Sequence, residues 1–233
     1  MCQTPPILSS KGFTLIELLI VIAIIGLLIS IIAPTMTIAK DLARSTVCQT
    51  QMRNIMFGTL LYAEVNKGLL PRSSHSALYF KVMPWGYALS PFLGFDSYSP
   101  GAVGDQLFKN QIFNGIYRCP KDERREKEWS YGKNVYTELL ANETGGPTWW
   151  RTEQIPQPAA TIFFSELRGN KNSMADHIMA HFWSEGGNPE VDANRHMQSS
   201  NYAYIDGHAG GEKFLATYDP DKCFDNWNPK TAQ

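Results

Sequence analysis

The chain has 233 residues, a formal net charge of −1 at pH 7, and 43% hydrophobic and 12% aromatic residues. That length supports one domain with a real core in addition to a membrane segment. A charge so near zero leaves no electrostatic footprint for nucleic acid or for peripheral attachment to an anionic membrane surface, and neither is expected.

From Phe13 to Ala33 almost every side chain is aliphatic, and Glu17 is the one ionisable residue. About 20 such residues suffice to cross a bilayer as a helix. A carboxylate at the centre of such a helix costs roughly 2.5–3.5 kcal/mol, so one that persists has a partner or a function. Glu17 stands near the start of the run, where the cost is smaller, yet it still needs a reason. An ordinary secretory signal is a poor fit. Its apolar stretch is typically about 7–15 residues and is followed by an Ala-x-Ala-like site. A cut is therefore expected before the run, with the protein left anchored.

Pro34 removes one helical hydrogen bond and predicts a bend rather than a stop. Beyond it Ile38, Leu42, Met52, Met56, Thr59 and Ala63 recur at three-to-four-residue steps between charged residues, an amphipathic helix with one apolar stripe. Lys67-Gly68 is its expected end. The domain boundaries read as 1–12, 13–34, 35–68 and 69–233.

Pro84 to Phe95 predicts a short helix, Phe95 to Gln106 a loop, Ile116 to Pro120 a short strand, and Ser130 to Tyr136 a second. Glu143 to Ala159, with its Gly-Gly-Pro and further prolines, reads as a long irregular connection. Thr161 to Glu166 is the clearest buried strand. Asn201 to Ile205 followed by Asp206-Gly207 predicts a hairpin with a two-residue turn, its return strand running from His208 to Phe214. The expected class is α+β, a long helix on a small, mainly antiparallel sheet.

Of the four cysteines, Cys2 precedes the apolar run; Cys48, Cys119 and Cys223 remain. If the domain lies outside the cytoplasm, Cys119 and Cys223 are candidates for a bridge, because Cys48 falls on the first helix, although spacing does not decide the pairing. His196, Asp206 and His208 are candidate metal ligands only if Gln198 to Ser200 folds back. The alternative is that Asp206-Gly207 is turn chemistry and that His196 or Arg195 bonds a carboxylate such as Glu166. Asp219, Asp221 and Asp225 offer oxygens for calcium, and a solvated acidic tail is the commoner meaning of such residues. His177 and His181 have the spacing of one helical face, without a His-Glu-x-x-His pattern. No Gly-x-Ser-x-Gly, phosphate loop or catalytic carboxylate pair is present, so no enzymatic activity and no cofactor are expected.

Two stretches resemble known families. Ser-Lys-Gly followed by Phe-Thr-Leu-Ile-Glu-Leu-Leu-Ile-Val-Ile-Ala-Ile-Ile-Gly, up to Pro34, resembles the signal of type IV pilins and type II secretion pseudopilins. The resemblance implies cleavage by a prepilin peptidase after Gly12, N-methylation of Phe13, loss of Cys2 with the leader, and a bend at Pro34. It also implies that Glu17 pairs with the methylated amine of a neighbouring subunit. Expected partners are the peptidase/methyltransferase, other pilin-like subunits in a homo- or heteropolymer, a secretion or pilus assembly platform, and membrane lipid. Lys11 on one side and Lys40 and Arg44 on the other do not set orientation. The resemblance implies a single-pass inner-membrane protein with a cytoplasmic N-terminus and an extracytoplasmic domain.

At the other end His196, nine intervening residues and Asp206-Gly207 resemble the H-x9-DG domain that accompanies such signals. Cys119-Pro120 and Ser130-Tyr131-Gly132 are similar to that family's patterns. The rival expectation is a membrane-anchored binding or metal-binding ectodomain that never polymerises.

Overall fold

The computed structural model describes residues 12–98, 101, 115–124, 129–169 and 176–233. The expected leader up to Lys11 and most of the 95–106 loop lie outside them. The chain forms two compact units, one ending at Lys40 and the other spanning Asp41–Gln233.

Helix α1, Leu15–Val65, continues through Pro34 rather than ending there. In its first unit every described residue from Gly12 to Lys40 is exposed. In the second unit Cys48, Met52, Ile55, Met56, Thr59 and Ala63 are buried, a stripe at helical spacing that anchors this half in the core. The stripe begins later than its sequence pattern predicts, since Ile38 and Leu42 stay exposed. Backward bonds from Gly68 N to Ala63 O and from Asn66 Nδ2 to Tyr62 O close the helix, with Lys67 and Gly68 both at positive φ.

Five strands form a mixed, mostly antiparallel sheet: β1 Tyr131–Asn134, β2 Ile162–Glu166, β3 His177–Ile178, β4 Ser200–Tyr204 and β5 Ala209–Glu212, in the order β3-β1-β2-β4-β5. Only the β1–β3 pair is parallel. The small β6 (Tyr218–Asp219) and β7 (Phe224–Asp225) pair separately. A long helix packed through its second half on such a sheet is a pilin-like α+β fold.

β2 and β4 are buried along their whole length, because the sheet is covered on both faces. On one face α1 reaches β4 and β1: Gln49 Nε2 donates to Asn201 Oδ1 at 3.0 Å, and Tyr131 Oη to Gln51 Oε1 at 2.7 Å. Tyr202, the next residue along β4, points the other way, toward Trp227, which also stacks edge-on against Trp183 at 5.0 Å. A second aromatic group gathers Trp85, Tyr117, Trp129 and Phe164. Gly86 is required there, since the Trp129 ring occupies the space a Cβ would need.

Residues 116–120 are turn and irregular chain, not the expected strand. Bonding the Ile-Tyr-Arg-Cys stretch to neighbouring elements outweighs its β-propensity: Tyr117 Oη donates to Gly86 O, and Gln51 Nε2 donates to Gly115 O. The 84–95 region forms α3, Trp85–Ala88, and a 3-10 turn, Ser90–Leu93. Before it stands α2, Ser74–Phe80, a short helix for which the sequence pattern offered no expectation.

The β4–β5 hairpin forms, with a different turn. Tyr204 and His208 close it, leaving Ile205, Asp206 and Gly207 as a three-residue loop. Gly207 alone has positive φ, 101°, which is the type I turn plus bulge rather than the two-residue form.

Candidate functional site

At the N-terminus, Gly12 and Phe13 precede α1 in exposed, non-helical chain, the condition in which a peptide bond is open to a protease. Thr14 caps the helix. Its backbone N–H and its hydroxyl both donate to Glu17 Oε2, at 2.8 and 2.7 Å, and Glu17 N–H donates back to Thr14 Oγ1 at 3.3 Å. This is a reciprocal capping box, and Thr-x-x-Glu is its sequence signature. The functional expectation for Glu17 passed over it because the surrounding run reads as membrane.

Further along, the hydroxyls of Ser30, Thr35 and Thr37 donate to carbonyls one turn back, so they are satisfied without water, as a bilayer interior demands. Among the described residues, the large aliphatic side chains between Leu15 and Ile32 are exposed; Ile16 is 65% exposed and Ile29 58%. A core helix would be buried. This one is long and apolar enough to cross a membrane.

The family model for the prokaryotic N-terminal methylation motif matches residues 8–33. The chain carries a prepilin-type signal. That signal on an exposed apolar helix marks a membrane-anchored, pilin-like protein, and it implies processing by a prepilin peptidase. Among the curated proteins and among the solved structures, nothing matches.

The C-terminal candidates do not converge. His196 and Asp206 lie beyond opposite ends of β4. The chain does fold back after His196, at Met197 and Gln198, both left-handed, but the turn delivers His196 to β2, where Nε2 lies 2.7 Å from Glu166 Oε1. Asp206 instead accepts from His208, N–H at 3.1 Å and Nδ1 at 2.6 Å. The His208 ring stacks on Tyr204 at 4.1 Å. Asp219 pairs with Lys222, Asp221 is exposed, and Asp225 accepts from the backbone of Trp227 and Asn228. Asp206 and Asp225 thus serve turns, and Asp219 an ion pair. His177 and His181 share no helix: His177 is in β3, beside Asp176, and His181 is in a 3-10 turn against Phe182.

The cysteine pairing also differs. Cys48 bonds Cys119, with their Cα atoms 5.3 Å apart, while Cys223 is exposed and free at a left-handed turn between β6 and β7. Cys119 sits in the core beneath α1, whereas Cys223 lies on that surface turn. Lying on α1 is what brings Cys48 to its partner, since it opens the buried stripe.

Next to this bridge Asp122 organises a polar knot. Arg124 Nη2 lies 2.6 Å from its Oδ2, Arg195 Nη1 3.7 Å and Ser130 Oγ 2.7 Å. Arg195 also donates to Ser130 O and Leu167 O, tying the strand ends together. Burial pushes the Asp122 carboxyl up, but the Arg124 hydrogen bonds, the Arg195 charge and Ser130 outweigh it and hold its pKa at about 2. A depressed carboxyl stabilises the fold above its unfolded pKa and loses that contribution as pH falls through the folded one. Between about pH 5 and about pH 2, wild type should lose roughly 2 kcal/mol more unfolding free energy than Asp122→Asn does. Urea titrations in detergent, read by tryptophan fluorescence, measure the difference; parallel losses would contradict it.

Proposed function

We propose that this chain is the precursor of a structural subunit, pseudopilin or minor-pilin-like, of a type II secretion or type IV pilus-type filament. The observation that carries this reading is the methylation motif at residues 8–33 leading into a helix whose apolar side chains are exposed among the described residues. In this reading the peptidase removes Met1 to Gly12, Phe13 is methylated, and the helix first resides in the inner membrane with the domain on the extracytoplasmic side. Extraction into a filament exchanges lipid for the helices of neighbouring subunits. Glu17 then meets the methylated amine of Phe13 on another copy. Methylation leaves that amine cationic, so the pair relieves two buried charges and fixes the register. His196, Asp206 and Gly207 serve the domain's fold. No catalytic role is assigned to any residue.

The capping box favours one other reading. Because Glu17 already has a role within its own helix, the protein would be an anchored ectodomain that does not polymerise.

The mass and N-terminal sequence of the mature protein test the processing step. The expected result is a chain beginning at Phe13 with one added methyl group. A chain that keeps its first twelve residues would overturn the filament-subunit reading, and one cut near Ala33 and released would overturn both.

A further inference from the structure

The disulfide does not stand alone. Cys48 on α1, Cys119 in the 115–124 segment, Glu166 at the end of β2 and His196 in the turn before β4 are all buried, and one ligand atom from each lies within 4.8 Å of all the others. His196 Nε2 is 3.5 Å from Cys119 Sγ and 2.7 Å from Glu166 Oε1. We propose that these four side chains form a zinc site in the dithiol form of the protein, and that the disulfide is the closed, metal-free form of the same centre.

The donor chemistry selects the ion. Two thiolates and an imidazole are borderline-soft ligands suited to zinc, whereas calcium and magnesium take oxygen. A tetrahedron with Zn–S of about 2.3 Å separates two sulfurs by about 3.8 Å, which rotation of the cysteine side chains supplies once the bond is open. Four protein ligands leave no open position, so the site is structural.

The surroundings hold the ligands as a metal centre requires. Ser200 Oγ and Asn201 N–H donate to Glu166 Oε2 at 3.1 and 3.0 Å, which turns Oε1 toward the histidine. Reciprocal backbone bonds between His196 and Ser199 fix the turn carrying the imidazole.

The exchange balances. A dithiol reductant gives two electrons and two protons to the Cys48–Cys119 bond, yields two thiols and becomes a disulfide itself. Zinc then binds both sulfurs and displaces their two protons. In either state α1 stays pinned to the 115–124 segment, and in the zinc state it is tied to β2 and to the turn before β4 as well.

The test uses the full chain in detergent with Cys2→Ser and Cys223→Ser, which removes the other thiols. The chain is reduced with a phosphine, and cobalt(II) serves as the optical probe. The expected result is one equivalent of cobalt with thiolate charge-transfer and tetrahedral visible bands, displaced by zinc. The bands should be absent from the oxidised chain and from Cys48→Ser, and binding should be weakened about tenfold or more in His196→Ala and Glu166→Gln. A reduced chain that stays folded and binds no cobalt overturns the proposal, as does equal binding by the His196→Ala variant. If reduction unfolds the chain, zinc must restore its near-ultraviolet dichroism; failure to do so is equally decisive.

Discussion

Glu17→Gln is expected to be cleaved and methylated like wild type and yet to be absent from filaments. Leucine at this position would fail as well, but glutamine is the sharper test. In the capping box the Glu17 carboxylate accepts the Thr14 N–H, and a glutamine at the same position closes that box equally well. What it lacks is charge. If Glu17 serves only its own helix, the Gln variant should behave as wild type, and Leu should cost about 0.5–2 kcal/mol of helix stability. If the carboxylate neutralises the amine of a neighbouring Phe13, both variants leave that amine buried and alone, at roughly 3–5 kcal/mol per contact, or about a hundredfold or more in assembly. Cysteines introduced at the exposed positions Ile20 and Leu27 report assembly as crosslinked ladders. Ladders at wild-type yield from processed Glu17→Gln would remove the charge pair and favour the anchored, non-polymerising protein.

The features legible in the sequence are those set by local pattern. The apolar run with its single acid, the buried β2 and the β4–β5 hairpin each announce themselves within a few residues, and the structure forms all three, the hairpin with a three-residue loop and a shorter return strand than expected. The contact of His196 with Glu166 was also within reach, as one of two alternatives. What the pattern missed depends on partners far along the chain. A place on a helix makes Cys48 look an unlikely bridge partner, yet it opens the stripe continued by Met52, Ile55 and Met56 and so faces the domain; that spacing is the signal. Its partner is 71 residues away, a distance at which local propensity carries no information. The strand expected at 116–120 failed for the same reason, its residues being claimed by α1 and α3. Lys133 and Glu138 were the least legible, because nothing local distinguishes a fully buried lysine from a solvated one.

That pair gives the largest expected effect on stability. Lys133 is fully buried, and its ammonium finds three acceptors: Thr137 Oγ1 at 2.7 Å, Asn134 O at 3.1 Å and Glu138 Oε2 at 3.2 Å. Burial pulls the Lys133 pKa below its ordinary range, with Glu138 opposing. Glu138 is held low because Lys133 and the Ser73 hydrogen bonds outweigh its own burial. The same carboxylate takes the backbone N–H and hydroxyl of Ser73, while Asp176 takes those of Ser74. Two acids thus receive the start of α2 and fasten it to β1. Glu138→Ala would orphan the ammonium and release Ser73, and it is expected to destabilise the domain by about 3–5 kcal/mol. Lys133→Met combined with Glu138→Gln removes both charges and retains an acceptor for Ser73. It should recover most of that loss, because deleting a buried pair costs far less than halving it. A double-mutant cycle by urea denaturation in detergent would then show a coupling of about 2 kcal/mol or more. If Glu138→Ala unfolds within about 1 kcal/mol of wild type, well under the loss expected for a broken buried pair, the ammonium is reaching water and the two charges do not fasten α2 to the sheet.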